Sequence, residues 1–295
     1  MGMSDTASID RAGWDRALDS LAGTAARQLV SALGDRGVKR RYLEVRASAG
    51  RVTHQAHLAG ARAPFRAGLQ HLVDEALDPV HRWTLRWILG RWPRGAITVS
   101  LPLESALAEF ELGILAPLTP TRIALSEGPL PFPAESVVHF RDVHDATEAP
   151  GLTGCRLLCY GGGPTALAGR WPVSLDRVPA VAACMGLEPL ARELVVPVLR
   201  DLAGDTPALT SPVLEVRWSP EPEEGFAVET GPIPTARLLG LVAAALGAEA
   251  AEPLRDLARS LKQPQTARAR LHFNEAGLQS ASALLAPRGQ PEAPW

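Results

Sequence analysis

The sequence predicts an α/β protein: a closed, ten-stranded antiparallel β-barrel built from five αββα repeats, with its helices outside. Three observations predict it. Short segments alternate apolar and polar residues with the period of two that a strand requires. Their centres recur at a near-constant step, and the stretches between them switch to the longer period of amphipathic helices.

Five segments lead the repeats: Arg41–Ser48 (RYLEVRAS), Ala96–Leu101 (AITVSL), Cys155–Tyr160 (CRLLCY), Val213–Ser219 (VLEVRWS) and Arg268–Asn274 (RARLHFN). Their centres, near Val45, Val99, Leu158, Val216 and Leu271, are about 54, 59, 58 and 55 residues apart. LEVR occurs at 43–46 and again at 214–217, in matching positions of the first and fourth units. A turn and a second strand follow most of the five. Ala49-Gly50 leads to Arg51–Leu58, the polar Pro220–Gly225 loop to Phe226–Thr230, and Glu275-Ala276-Gly277 to Leu278–Leu285. After CRLLCY, Gly161-Gly162-Gly163-Pro164 opens a segment running through Trp171.

Helical periodicity fills the intervals: Asp10–Leu33, Pro64–Leu77, Pro79–Leu89, Ala134–Asp142, Asp176–Met185, Glu188–Leu202, Thr235–Leu246 and Ala248–Leu261. The prolines at 64 and 79 suit a first helical turn, and Gly186 and Gly247 suit helix ends. The interval over 117–150 is the weakest, being broken by six prolines. A single domain over residues 7–286 is expected, with 287–295 a loose tail.

With 295 residues, 46% hydrophobic and 21% charged, the chain can bury a sizeable core. A net charge of −2 gives no electrostatic case for nucleic acid or an anionic membrane as partner. No apolar run reaches the length of a membrane span, and the first residues carry acidic groups instead of the apolar core of a secretory signal. Three cysteines make no disulfide framework, and cytoplasmic residence is the expectation. Cys155-x3-Cys159 lacks a second ligand pair, so no metal site is expected.

Strand alternation sorts the chemistry. In the first strand Tyr42, Glu44 and Arg46 share one face and Leu43 and Val45 the other; the strand after it puts Thr53, Gln55 and His57 together. The fourth unit sets Glu215 and Arg217 against Leu214 and Val216, and the fifth sets Arg268, Arg270, His272 and Asn274 against Leu271 and Phe273. Helices outside a barrel would take the apolar faces and leave the polar ones lining the interior. An open sheet with helices on one side and water on the other produces the same alternation. Within a barrel, arginines would hold diphosphate oxygens by charge-assisted bonds, aromatic faces would shelter an allylic cation, and a carboxylate would accept a proton.

In this spacing and architecture the whole chain resembles the ABBA (PT-barrel) aromatic prenyltransferases. Leu43-Glu44 is similar in place to a Leu-Glu pair on the first strand of the branch that prenylates ribosomal peptides, the cyanobactin-type enzymes. The resemblance implies Glu44 as general base and Arg46, His57, Arg156, Arg217, Arg270 and His272 as diphosphate ligands. It implies Tyr42, Gln55, Tyr160 and Asn274 in the substrate pocket, with Trp171, Trp218 or Phe273 standing in for a scarce tyrosine shield, although Trp218 faces outward by alternation. The implied partners are a prenyl diphosphate donor and an aromatic or peptide acceptor. No permanent cofactor is implied, and Mg²⁺ would enter only with the diphosphate. Two departures stand out: His57 occupies the place of a basic residue, and there are two tyrosines.

Other readings use fewer residues. Asp74-Glu75-Ala76-Leu77-Asp78 is similar to the metal box of helical prenyl enzymes but stands alone in a strand-rich chain. A non-catalytic barrel or α+β module binding an apolar ligand or peptide would fit the same alternation. A pentein-type guanidine hydrolase would need a reactive cysteine late in the chain, and none follows Cys184.

Overall fold

The computed structural model describes residues 11–23, 27, 30, 38–61, 96–104, 110–115, 134–148, 154–159, 166–204, 212–218, 225–260 and 266–285. Ten strands appear in hairpin pairs: β1 (Val38–Ser48) and β2 (Arg51–Ala61), β3 (Ala96–Pro102) and β4 (Phe110–Leu115), β5 (Gly154–Cys159) and β6 (Ala166–Pro172), β7 (Val213–Trp218) and β8 (Phe226–Pro234), β9 (Thr266–Asn274) and β10 (Gly277–Leu285). Each pairs antiparallel with its sequence neighbours, and β1 also pairs with β10, Glu44 opposite Leu284. The order therefore returns on itself as a closed barrel. An open sheet with two free edges is ruled out by the β1–β10 ladder.

The described helices lie in the intervals. They are α1 (Arg11–Leu21), α2 (Ala134–Thr147), α3 (Val178–Ala183), α4 (Glu188–Leu190), α5 (Val196–Ala203), α6 (Thr235–Leu246) and α7 (Ala248–Ser260). Between α4 and α5 the chain makes one π-helical turn, Ala191–Val195, with Val196 N–H donating to the Ala191 carbonyl. Pro197 follows directly; it has no N–H to give, and its ring pushes on the carbonyl four residues back. The helices expected at 64–77 and 79–89 lie outside the described residues. In the proline-rich second interval α2 runs to Thr147, further than the expected Asp142.

Two turns fix register. Ala49-Gly50 joins β1 to β2 with Ser48 opposite Arg51, and Gly50 adopts φ 73°. Gly225 opens β8 at φ 141°, where a side-chain carbon would come within 2.3 Å of the Phe273 carbonyl oxygen. Only glycine fits there.

The core sits between barrel and helices. Leu43, Val45, Ala47, Leu58, Val99, Leu101, Leu214, Val216, Val228, Ala269, Leu271, Ala281 and Ala283 are buried in one cluster with Trp14, Phe140, Leu199, Leu238, Val242 and Leu254 of the helices. Every one of these strand residues belongs to the apolar set of its strand. The alternate residues must then face the barrel interior.

Candidate functional site: the polar barrel interior

The interior is built by alternation. β1 contributes Tyr42, Glu44 and Arg46; β2 contributes Gln55 and His57. β3 adds Thr98 and Ser100, β6 Arg170, β7 Glu215 and Arg217, and β8 Glu229. β9 adds Arg268, Arg270 and His272, and β10 Ser280, Ser282 and Leu284. Cross-strand register sets their neighbours. Glu44 stands opposite Gln55 and Leu284, His57 opposite Tyr42 and Ser100, Arg270 opposite Glu229 and Ser282, and Arg170 opposite Glu215.

Glu44 is the best-coordinated of these groups. Its Oε2 accepts a hydrogen bond from His57 Nε2 at 2.6 Å and lies 3.5 Å from Arg270 Nη1; its Oε1 accepts from Arg46 Nη2 at 3.2 Å. His57 Nδ1 lies 2.6 Å from Ser100 Oγ. With Nε2–H donated to the carboxylate, Nδ1 accepts from the Ser100 hydroxyl in the neutral ring and donates to it in the imidazolium. Burial alone would raise the Glu44 carboxyl, but Arg46, Arg270 and His57 together hold it well below the usual carboxylate range.

A second carboxylate, Glu229, organises the opposite wall. Its Oε2 takes hydrogen bonds from Arg170 Nη2 at 2.5 Å and Arg270 Nη2 at 3.1 Å, and its Oε1 from Arg268 Nη1 at 3.1 Å. Burial opposes ionisation there too, and Arg170, Arg270 and Arg268 overcome it. Glu215 lies 3.7 Å from Arg170 and 3.6 Å from Arg217. Arg270 bridges Glu44 and Glu229; burial works against its charge, yet Glu215, Glu44 and Glu229 hold its pKa above the ordinary arginine value. Among the described side chains, five arginines (Arg46, Arg170, Arg217, Arg268, Arg270) thus face three glutamates, an excess of two positive charges before the histidines are counted.

Accessibility varies along the barrel. Side-chain exposure is 23% at Arg46, 14% at Arg268 and 13% at Arg217, but 3% at Arg270 and nil at Glu44. Gln55 and His272 are also part-exposed, whereas His57, Ser100, Arg170 and Glu215 are buried. Arg46, Arg217 and His272 form a part-exposed tier toward the hairpin turns, and Glu44 lies buried below it, level with part-exposed Arg268. His272 is kept neutral: desolvation, then Arg217 and Arg46, push its pKa well below the usual histidine value.

Most of the site residues expected from sequence meet on this surface: Glu44, Arg46, His57, Arg217, Arg270 and His272. His57 is not an open cation, because one ring nitrogen is engaged by Glu44 and the other by Ser100. Tyr42 packs with Ala59 and Leu284 in a small buried cluster beside Glu44. Gln55 faces inward, and its Oε1 is buried without a hydrogen-bond partner among the described residues. Asn274 sits at the tip of the β9–β10 hairpin, its Oδ1 accepting the Ala276 N–H at 2.9 Å, so it serves the turn. Arg156 stands in register opposite Gly113 and Ala168, and its side chain, with Tyr160 and the Trp218 side chain, lies outside the described residues.

Two expectations are corrected. Trp171 and Phe273 do not line the interior; they face the helices, Trp171 packed 5.7 Å from the Phe140 ring of α2 and Phe273 against Phe226 at 6.1 Å. Alternation beside inward Arg170 and inward His272 dictates it. Cys184, the last cysteine in the chain and the one the pentein alternative turned on, lies at the end of outer helix α3, where burial and then Asp142 raise its pKa. Among the described residues no group of three His, Cys, Asp or Glu is placed to hold a metal ion.

Arg170 and Glu229 were missed by sequence reasoning. Each shares its face with an alanine, Ala168 or Ala227, and alternates with outward residues such as Trp171 and Val228, so the signal was present in the second strand of each hairpin.

Among solved structures, the fold is similar over its whole length to 6-dimethylallyltryptophan synthase from Micromonospora olivasterospora in complex with DMASPP and Trp. The TM-score is 0.69 at 13% identity, covering 100% of both chains. The fold is that of the aromatic prenyltransferases. The 5-dimethylallyltryptophan synthase from Streptomyces coelicolor, also in complex with DMASPP and Trp, aligns at TM-score 0.62 and 13% identity over 96% of this chain and 95% of its own. The prenyltransferase PriB, in a binary complex with product diphosphate, aligns at 0.65 and 12% over 96% of both. No family model matches the sequence, and no curated protein does. The prenyltransferase fold is therefore carried here with little sequence in common, which places the weight on the interior residues themselves.

Proposed function

We propose that the chain is an aromatic prenyltransferase with a PT barrel of five αββα units, moving an allylic prenyl group from its diphosphate to an electron-rich ring. The observation that carries this reading is Glu44, an ionised carboxylate 1% exposed, set behind an arginine-rich face that opens toward Arg46 and Arg217. The fold shared with dimethylallyltryptophan synthases supports it.

In this reading the diphosphate lies at the accessible tier. Arg46 and Arg217 bind its oxygens there, with Arg156 joining from the neighbouring wall, and Arg270 extends the positive field inward. These charges stabilise the diphosphate as the allylic C–O bond breaks and both electrons leave with oxygen. The acceptor ring sits between that bond and Glu44, against Tyr42, whose ring face can steady the cation. Attack by the ring yields an arenium ion, a very strong acid. A carboxylate of depressed pKa is therefore an adequate base, and Glu44 takes the proton. His57, held by Ser100, fixes which carboxylate oxygen faces the acceptor. Arginine supplies the charge that Mg²⁺ would otherwise bring with the diphosphate.

The acceptor is an aromatic side chain, free or within a peptide. The test is incubation with dimethylallyl or geranyl diphosphate and tryptophan, tyrosine and Trp-containing peptides, with and without Mg²⁺, read by mass spectrometry. A mass gain of one prenyl group on an acceptor is expected. Failure to bind any prenyl diphosphate overturns the reading.

A further inference from the structure

The two interior histidines are held differently, and the difference gives His272 a role that the arginines cannot fill. His57 has both ring nitrogens engaged. His272 Nε2 is buried and makes no hydrogen bond to any described residue. Its place is set by register: it stands opposite Ala227 of β8 on one side and Ser280 of β10 on the other. Neither neighbour titrates. One strand further out on each side, Ala227 is opposite Glu215 of β7 and Ser280 opposite Ser48 of β1. Arg217 and Arg46 lie two residues along those strands on the same face. His272 therefore occupies the gap between the two arginines at the accessible tier.

The charged groups acting on it are Arg217 and Glu215 from β7, Arg46 from β1 and Arg270 from β9 itself. From β8, the carboxylate of Glu229 is committed to Arg170, Arg268 and Arg270, and β10 offers Ser280 and Ser282. Burial comes first in disfavouring the imidazolium, and cations dominate among the charged neighbours, so the ring is kept neutral. An anion seated between Arg46 and Arg217 reverses that balance at short range.

We propose that His272 couples donor binding to proton uptake: a diphosphate between Arg46 and Arg217 draws one proton from solvent onto His272, which then faces the leaving group as a cation. This rests on the donor site proposed above. As the allylic C–O bond breaks, its electron pair goes to the diphosphate oxygen, and the His272 N–H answers the new charge. The acceptor carbon forms the new bond, and the proton it loses goes to Glu44. The cation at His272 exists only while diphosphate is bound, so the empty barrel does not carry its repulsion against Arg46 and Arg217.

The experiment is titration calorimetry of the full chain with dimethylallyl thiolodiphosphate, an uncleaved donor analogue, in HEPES and in Tris from pH 6.5 to 8.5. The analogue's own protonation is common to all variants, so differences between variants report the protein. Wild type is expected to take up as much as one more proton per site than His272→Gln. Its affinity should tighten as pH falls, by up to tenfold per unit beyond the His272→Gln trend. Arg217→Ala should weaken binding and shrink the uptake together. Equal proton counts and parallel pH trends in wild type and His272→Gln would overturn the inference and leave the donor site standing. Absence of binding in every variant would remove the donor site and this inference with it.

Discussion

The deep tier around Glu44 and the accessible tier around His272 use the same residue types on the same barrel face, yet they behave as different materials. In the deep tier each charge has fixed partners: Glu44 with His57, Arg46 and Arg270, and Glu229 with three arginines. In the accessible tier Arg46 and Arg217 are part-exposed and His272 Nε2 has no hydrogen-bond partner among the described residues. Buried ion pairs return little net stability, but removing one partner leaves a charge stranded away from water. The deep tier is thus a rigid frame; in the outer tier Arg46 and Arg217 keep the carboxylates of Glu44 and Glu215, and the His272 nitrogen is left open.

The largest effect expected on that contrast is catalytic. Glu44→Gln should lower turnover by about 10²- to 10⁴-fold, with donor affinity changed far less, in single-turnover kinetics paired with calorimetry. A comparable loss of donor affinity would erase the distinction between the tiers. Next comes stability. Arg270→Met takes one buried cation from both Glu44 and Glu229 and should cost about 3–5 kcal/mol in urea unfolding. Arg217→Ala leaves Glu215 with Arg170 still facing it and should cost less, about 1–3 kcal/mol. Equal costs would mean that the arginines form one network.

Smaller effects sharpen the picture. Ser100→Ala leaves His57 Nδ1 without its hydroxyl partner and should cost about 1 kcal/mol, with a fall in turnover as the Glu44 carboxylate loses its aim. For pH, the folded-state pKa of His272 lies below its unfolded value of about 6.5, so the unfolded chain binds the proton more readily. Stability should therefore decline as pH falls through that value and level off below the folded-state pKa. His272→Gln should flatten this decline. Glu44 and Glu229, whose pKa values are also depressed, contribute stability above the ordinary carboxylate range that is lost only in stronger acid. A wild-type profile unchanged by His272→Gln would show that the outer tier is as fixed as the inner.

Much of the fold was legible because period-two alternation is a local property. RYLEVRAS and RARLHFN declare their faces without reference to any partner, and the repeat step sets them on corresponding strands. β4 escaped notice: FELGIL is six residues with a central glycine beside a proline-rich stretch, and it offers little alternation. β6 hid Arg170 among Ala and Gly, and β8 hid Glu229 next to a register shift before Pro232. The role of His57 was illegible for another reason. Its partner Ser100 is 43 residues away on β3, and only cross-strand register brings hydroxyl and ring together. Glu44 and Arg270 meet only through the β1–β10 ladder, which no local pattern encodes.

That ladder also sets a timetable. β1 and β10 are the first and last strands among the described residues, so the chain for every other hairpin must be synthesised before they can join. During synthesis β1 waits with an unpaired edge through the translation of more than two hundred residues, including Glu44 without Arg270. Contacts this distant in sequence make folding slow and leave β1 open to pairing with another nascent copy. Trimming the chain inside β9 or β10 should yield a sticky, aggregating product instead of a weakened enzyme, because the missing staves reopen both edges at once.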